Sequence, residues 1–199
     1  MNLALLDFDG TITKNDSLIK FIRFAIGDIK FILGMIILSP MLIAYKLKLI
    51  QNDKAKEYML SYFFKGMSKK QFIEISTDYS LNQLGKIIRP QAIKKIKWHK
   101  DRGDKVVIIS ASIECWLKPW CDKNKLELIA TKLEMKENII TGKLSTKNCY
   151  GIEKVNRIKT NYNINNFDYI YAYGDSQGDK ELLEIADESF YKPFRKQKI

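Results

Sequence analysis

Short apolar runs that end in polar loops recur along the chain. Residues 2–6, 105–109 and 169–173 are runs of this kind, and small or acidic residues follow each of them directly. A short apolar run bounded by turn residues is typical of a strand that is covered on both faces of a sheet. We therefore predict three buried parallel strands whose carboxyl ends carry polar loops.

Segments with a helical pattern separate these strands. They cover residues 90–102, 113–123 and 151–162, and Pro90 stands at a first-turn position, where a helix accepts proline. Strands that alternate with helices predict an α/β fold with a doubly wound, Rossmann-like parallel sheet. Residues 132–144 instead resemble two short strands with a polar turn, which we interpret as a hairpin beside the main sheet.

The long segment 16–86 interrupts the alternation of strands and helices. Its pattern is helical throughout and contains no strand signal. We interpret this segment as a mostly helical cap inserted after the first strand. Residues 1–15 and 87–199 then form the α/β core domain.

One part of the cap, residues 31–45, is apolar and uncharged, and lysines such as Lys30 and Lys48 flank it. At about 15 residues it is shorter than the roughly 20 that span a bilayer, and Pro40 is expected to kink it. Two interpretations stay open. The segment forms a helical hairpin buried in the cap or against a partner subunit, or residues 29–49 make peripheral contact with a membrane.

The composition narrows the classes of function. Thirty-four Lys+Arg against 23 Asp+Glu give a formal charge of +11, which attracts anionic partners of several kinds. The lysines are scattered and no zinc-finger or RNA-binding signature is present, so we expect no nucleic-acid partner. Cysteines 115, 121 and 149 and the single His99 lack metal-ligand spacing, which argues against zinc and against a disulfide framework.

The start of the chain bears on localisation. Met1 to Leu6 leads directly into a strand, with no charged leader and no apolar signal segment. We therefore expect a cytoplasmic protein, peripheral at the inner face of the membrane if residues 29–49 contact lipid. The sequence leaves the oligomeric state open.

The polar loops at the strand ends carry the candidate chemistry. Ligands of open α/β sheets bind beyond the carboxyl ends of the strands, so the loops at Asp7, Ser110 and Asp175 are expected to converge. An aspartate can attack phosphorus, and water then hydrolyses the acyl phosphate. A phosphate dianion approaches a carboxylate only beside a counter-charge. Mg²⁺ held by Asp7, Asp175 and the backbone carbonyl of Asp9 would supply that charge.

Other residues near Asp7 have supporting roles in this interpretation. Asp9 is the candidate general acid toward the leaving alkoxide and then the base toward water. Asp179 is expected to hold Lys154 or a metal-bound water. The candidates for phosphate binding, through backbone amides, a hydroxyl or an ammonium group, are Phe8, Gly10, Thr11, Ser110, Ala111 and Lys154.

These motifs together resemble those of the haloacid dehalogenase superfamily of phosphatases. The four motifs are Asp7-Phe-Asp-Gly-Thr11, Ser110 after an apolar strand, Lys154, and Gly174-Asp-Ser-Gln-Gly-Asp179. Cap material between the first two motifs resembles the phosphoserine phosphatase-like branch, subfamily IB. The resemblance implies Mg²⁺ as cofactor, Asp7 as nucleophile and Asp9 as acid and base. It also implies Ser110 and Lys154 as phosphate ligands and Asp7 with Asp175 as metal ligands. Every expected catalytic position is filled, which argues against a non-catalytic scaffold.

The substrate follows less directly from the sequence. Phosphoserine phosphatases have serine where this chain has Gly10 and glutamate where it has the shorter Asp16. Asp16 can contact a substrate ammonium group or cap the helix that begins after it. Arg23 is the only cap arginine before Arg89 that could meet a substrate carboxylate.

The apolar cap segment resembles instead the cap of the phosphatidylglycerophosphatase C type, which acts on a lipid head group. Lysines beside an apolar segment attract anionic lipid. We therefore expect a lipid head-group phosphate such as phosphatidylglycerol phosphate as substrate. Phosphoserine or another small soluble phosphomonoester is the alternative.

Overall fold

The computed structural model describes residues 1–195 of the 199-residue chain. In chain order the elements are β1 (Leu3–Leu6), α1 (Ser17–Ile26), α2 (Asp28–Lys46), α3 (Asn52–Phe64), α4 (Lys69–Asp78), α5 (Pro90–Asp101), β2 (Lys105–Ile113), α6 (Glu114–Lys123), β3 (Glu127–Thr131), β4 (Leu133–Lys136), β5 (Ile139–Leu144), α7 (Ile152–Asn161), β6 (Ile170–Gly174), α8 (Lys180–Glu184) and β7 (Glu188–Tyr191). The three predicted helices outside the cap segment correspond to α5, α6 and α7.

A five-stranded parallel sheet in the order β3-β2-β1-β6-β7 forms the centre of the molecule. Strand β1 lies in the middle, where Leu3 pairs with Lys105 of β2 and with Ile170 of β6. All four residues of β1 are buried, because apolar clusters cover both faces of the sheet. The predicted α/β fold with a Rossmann-like parallel sheet is confirmed.

The two edge strands, β3 and β7, escaped the sequence analysis. Strand β3 begins with the exposed Glu127, and β7 contains the exposed Glu188, Ser189 and Tyr191. An edge strand has one unpaired side and retains polar residues, so it lacks the continuous apolar run of a central strand.

Helices α1 to α4 lie between β1 and β2 in the chain, where the sequence pattern indicated helices. The Asp16 carboxylate accepts hydrogen bonds from the amides of Leu18 and Ile19 and so begins α1. Phe21 of this helix stacks on Trp116 of α6, with ring centroids 4.5 Å apart. Aromatic rings from α3 and α4 complete this buried cluster, which therefore joins the inserted helices to the core.

The predicted hairpin is present as β4 and β5. It forms a separate antiparallel sheet that packs on α3. The Gly66 amide donates to the Ile140 carbonyl at 2.9 Å, and a Cβ at Gly142 would lie 2.3 Å from Cα of Ser61. Only glycine at position 142 permits this close approach. The hairpin therefore packs directly on the inserted helices.

The apolar segment 31–45 forms part of one helix, α2, and the expected helical hairpin is wrong. The 19-residue helix continues through Pro40, which has no amide to donate to the Ile36 carbonyl. The Ser39 hydroxyl donates to that carbonyl at 2.7 Å instead. Within residues 1–195, α2 is the helix that is long and apolar enough to cross a membrane by length and composition, with a mean hydropathy of 1.7.

The predicted burial of this segment inside the cap is also wrong for the described residues. Gly34 is buried against α3, where a Cβ would lie 2.3 Å from the Phe63 ring. The outer face of α2 is exposed and aliphatic. Its side chains that are more than half exposed are Ile29, Ile32, Leu33, Ile36, Ile37 and Ile43.

The aromatic cluster predicts a large stability difference within α1. Phe21→Ala should lower the free energy of unfolding by about 3–5 kcal/mol, because it opens a cavity beside Trp116. Phe24→Ala, on the exposed side of the same helix, should cost only about 1 kcal/mol. Urea denaturation of both variants measures this difference. Equal losses would contradict the role of the cluster.

Candidate active site

Residues after β1 and β6 and a residue of β2 converge on one buried ammonium group. Lys154, in the first turn of α7, is almost completely buried. Its Nζ donates to Asp7 Oδ1 at 2.6 Å, to Asp179 Oδ1 at 2.6 Å and to the Ile109 carbonyl at 3.1 Å. The sequence expectation that Asp179 contacts Lys154 therefore agrees with the geometry.

Three carboxylates lie around this point. One oxygen each of Asp7, Asp175 and Asp179 lies within 4.8 Å of the other two. Asp179 Oδ2 accepts hydrogen bonds from the amides of Asp175 and Ser176 and from the Ser176 hydroxyl, which fixes the loop after β6. A group of carboxylate oxygens this close together suits a hard divalent cation. These residues can therefore hold a metal ion.

Negative charges outnumber positive charges in this group. Lys154 is the one buried ammonium beside the three carboxylates in the described part of the chain, and the half-exposed Arg195 donates to Asp175 at 2.7 Å. Burial raises the pKa of Asp7 to about 6, with Lys154 opposing and Asp179 adding to the rise. Burial also disfavours the Lys154 ammonium, yet Asp7 and Asp179 hold the pKa of Lys154 above its ordinary value. A bound cation would balance the remaining negative charge.

Gly10 permits a close approach between two loops of the site. Its φ is +83°, and a Cβ would lie 2.5 Å from Asp175 Oδ2, so glycine allows Asp175 to approach the loop after β1. Its amide donates to Thr13 Oγ1 at 3.2 Å, and its predicted role in cradling a phosphoryl oxygen stays a prediction. The side chains of Phe8 and Thr11 are buried outside the pocket described next.

A pocket of about 330 Å³ opens beside Asp7. Its core wall contains predicted site residues: Asp7, Asp9, Ser110, Ala111, Lys154 and Asp179. Helices α1 to α3 provide an opposite wall that includes the apolar residues Leu18, Leu42 and Met59. The predicted residues thus meet at a cavity whose one end carries carboxylate, hydroxyl and ammonium groups and whose far side includes apolar side chains.

Asp9 lies in this pocket in a tight hydrogen-bond network. Its carboxylate accepts from the Ser17 amide at 2.7 Å, from the Ser17 hydroxyl at 3.0 Å and from the Ser112 hydroxyl at 2.5 Å. Burial raises the pKa of Asp9 to about 7 and the charge of Asp16 adds to the rise, while the Ser112 hydrogen bond opposes it. A carboxyl group that titrates near neutrality can both give and accept a proton.

Asp16 shows the capping geometry that was one of its two predicted roles. Its side chain is exposed, and one oxygen accepts from the amides of Leu18 and Ile19 at 2.9 and 3.2 Å. Asp16 also lines the pocket, so contact with a substrate ammonium group stays a prediction.

Ser17, Ser112 and Lys56 are among the polar residues in or beside the pocket that the sequence analysis missed. Ser17 and Ser112 hold Asp9, and Lys56 of α3 reaches the Ala111 carbonyl from the far wall. Ser112 gave a usable signal, because it follows Ser110 by two positions at the end of a strand. Lys56 gave no such signal in the sequence, because it is one of 34 basic residues and its position in the pocket depends on how α3 packs.

Comparisons with known proteins agree with this geometry. A family model described as haloacid dehalogenase-like hydrolase matches residues 4–184. Protein CicA of Caulobacter vibrioides is 32% identical over 195 residues, which is 97% of this chain and 86% of that protein.

Two solved structures share the fold. A Bordetella pertussis Tohama I protein of unknown function superposes with a TM-score of 0.82 at 22% identity, over 94% of this chain and 88% of that one. A phosphoserine phosphatase with a phospho-aspartyl intermediate analogue superposes with a TM-score of 0.67 at 17% identity, over 94% of this chain and 84% of that one. At these identities the likeness concerns the fold.

The Lys154 network predicts a pH-dependent loss of stability. Lys154→Met leaves two buried carboxylates without a cation and should lower the free energy of unfolding by about 3–5 kcal/mol at neutral pH without added metal. The loss should shrink as the pH falls through the raised pKa of Asp7, because protonation removes the charge of that carboxylate.

The exposed Lys159, on the same helix, offers a matched control, and Lys159→Met should change stability by less than about 0.5 kcal/mol. Denaturant titrations at several pH values measure both variants. A loss for Lys154→Met that is the same at every pH would exclude the unpaired carboxylates as its cause.

Proposed function

This chain belongs to the haloacid dehalogenase-like hydrolase family, and on that premise we propose that it is a magnesium-dependent phosphatase that acts through an aspartyl phosphate on Asp7. One observation carries the proposal. Asp7, at the end of the central strand, contacts the buried Lys154 and lies within metal-sharing distance of Asp175 and Asp179 at the floor of the pocket. The solved phosphoserine phosphatase with a phospho-aspartyl analogue, which shares the fold, supports this chemistry.

Two steps complete the reaction. A carboxylate oxygen of Asp7 bonds to phosphorus while the ester bond breaks, and Asp9 gives its proton to the leaving alkoxide. Water then attacks the phosphorus of the acyl phosphate and gives a proton to Asp9, which frees Asp7 and inorganic phosphate. Lys154 and Ser110 bind phosphoryl oxygens and stabilise the charge of the transition state.

The acidic residues fit a magnesium ion. Asp7 and Asp175, with the backbone carbonyl of Asp9, would hold it, and Asp179 would position Lys154. When bound, Mg²⁺ supplies the counter-charge that a phosphate dianion needs beside a carboxylate. The close approach of Asp175 to Gly10 supports this assignment, since any other residue at position 10 would displace that carboxylate.

We propose a lipid head-group phosphate, such as phosphatidylglycerol phosphate, as the substrate. Leu42 and Tyr45 of α2 line the pocket, while the outer face of the same helix exposes aliphatic side chains such as Ile36. Exposed lysines at both ends of the helix, Lys30 and Lys46, match the charge of anionic lipids. One side of α2 packs on α3, so we propose that the helix lies in the membrane interface at the inner face and does not span the bilayer.

A small soluble monoester such as phosphoserine is the second candidate. Asp16 and Lys56 line the same pocket and could bind an ammonium group and a carboxylate. The candidate arginine does not contribute, because Arg23 pairs with Asp28 at 2.5 Å and lies outside the pocket lining.

Asp7→Asn should abolish phosphate release. An amide is a far weaker nucleophile than a carboxylate, so turnover of an aryl phosphate with Mg²⁺ should fall by about 10³-fold or more. Asp101→Asn, at an exposed aspartate on α5, should keep full activity. Phosphate release and circular dichroism measure activity and folding. Full turnover by folded Asp7→Asn would remove Asp7 from its role.

The α2 surface predicts membrane-dependent behaviour. Replacing Ile36 and Ile37 with serine should weaken binding to phosphatidylglycerol vesicles by about 10-fold or more and leave aryl phosphate turnover unchanged. Ile93→Ser, on α5, is the control for a partly exposed isoleucine elsewhere.

Flotation of the protein with vesicles measures the effect. Absence of vesicle binding by the wild type, or a dimer that the double variant dissociates, would contradict the membrane surface. No release of phosphate from any lipid phosphate, with or without detergent, would reject the lipid substrate.

A further inference from the structure

Lys56 is a cation that faces the pocket without an anionic partner. Its Nζ donates to the Ala111 carbonyl at 2.5 Å and to Asn148 Oδ1 at 2.8 Å, and both acceptors are neutral. Within residues 1–195, no carboxylate oxygen lies within 4 Å of this ammonium group. An ammonium group has three hydrogens to donate, so one donor direction is left for a ligand.

The nearby carboxylates are engaged elsewhere. Asp16 caps α1, and Asp9 accepts hydrogen bonds from Ser17 and Ser112. Lys154, the other cation of the pocket, is already paired with two carboxylates. Lys56 is therefore the cation in the described part of the pocket whose charge nothing nearby neutralises by direct contact.

A polar network holds Lys56 in place. The Asn148 amide donates to Asn52 Oδ1 at 2.7 Å, and Asn52 donates to the Tyr45 hydroxyl at 2.7 Å. Thr131 donates to the same Asn148 oxygen that Lys56 contacts. This network joins α2 and α3 to the core, so the ammonium group has a fixed position in the pocket wall.

We propose that Lys56 binds a second anionic group of the substrate, distinct from the phosphoryl group that Asp7 attacks. This inference rests on the proposed phosphatase function and narrows its substrate class to phosphomonoesters with another negative charge. A lipid phosphodiester and an amino-acid carboxylate share that chemistry. A monoester without a second anion leaves the Lys56 charge without a partner, which costs binding energy.

The ionisation of Lys56 provides a second observable. Burial lowers the pKa of Lys56 to about 8, and the carboxylates of Asp16 and Asp9 oppose this shift. The other titratable groups around it are Cys149 and Lys154. Binding of the second anion should therefore weaken as the pH rises above about 8, because the ammonium group loses its charge.

The test compares matched substrate pairs in wild type, Lys56→Met and Lys56→Arg. Phosphatidylglycerol phosphate and phosphatidic acid in detergent micelles differ by a phosphodiester, and phosphoserine and phosphoethanolamine differ by a carboxylate. Lys56→Met should lower kcat/KM for the doubly anionic member of the preferred pair by about 10- to 100-fold, mainly through KM. It should lower kcat/KM for the other member less, so that the ratio of kcat/KM between the two members falls by about 10-fold or more. The pair that responds identifies the source of the anion.

The arginine variant separates binding from loop positioning. Arginine stays charged, so Lys56→Arg should recover the preference and remove the rise in KM above about pH 8. Equal losses on both members of each pair would overturn the proposal, because they would mean that Lys56 only positions Ala111. A wild type that prefers neither doubly anionic substrate would also overturn it. Failure of the phosphatase function itself has a different result, namely no phosphate release from any substrate, including an aryl phosphate.

Discussion

The burial of the Lys154 ammonium is the constraint on which the site depends. A buried charge is costly unless opposite charges and hydrogen bonds compensate it, and here Asp7, Asp179 and the Ile109 carbonyl do so. These partners come from the residue after β1, from the middle of β2 and from the turn after β6. The folded state therefore brings together three segments that are far apart in sequence, and the same contacts place the Asp7 carboxylate at the floor of the pocket.

The inserted helices contribute the second wall of the site and help to position Asp9. The Phe21 and Trp116 stack fixes α1 against α6, and the Trp116 indole donates to the Ser17 hydroxyl at 3.1 Å. Ser17 in turn holds the Asp9 carboxylate through its amide and hydroxyl. Packing in the aromatic cluster is thus connected to the position of the proposed acid and base. Lys56 reaches the site from the opposite direction, so both walls of the pocket contribute polar groups.

The sequence predicts those parts of the fold that are fully buried, because burial imposes a recognisable apolar pattern. The central strand β1 and the motifs at its end were identifiable, because a strand covered on both faces must be continuously apolar. Edge strands β3 and β7 lack that pattern. The prediction for α2 was wrong because the general effect of proline was applied to Pro40, whereas the Ser39 hydroxyl satisfies the freed carbonyl locally. The position of Lys56 depends on tertiary packing, which no spacing in the sequence records.

Detection of the covalent intermediate tests the central claim most directly. Enzyme that is turning over a phosphomonoester with Mg²⁺ is quenched in acid, digested and analysed by mass spectrometry. The proposed mechanism predicts one phosphoryl group on the peptide that contains Asp7, located on that side chain, and its disappearance when substrate is exhausted. Steady turnover with the phosphoryl group on another residue would contradict the mechanism. Turnover in which water attacks the substrate directly, with no phosphorylated peptide, would contradict it as well.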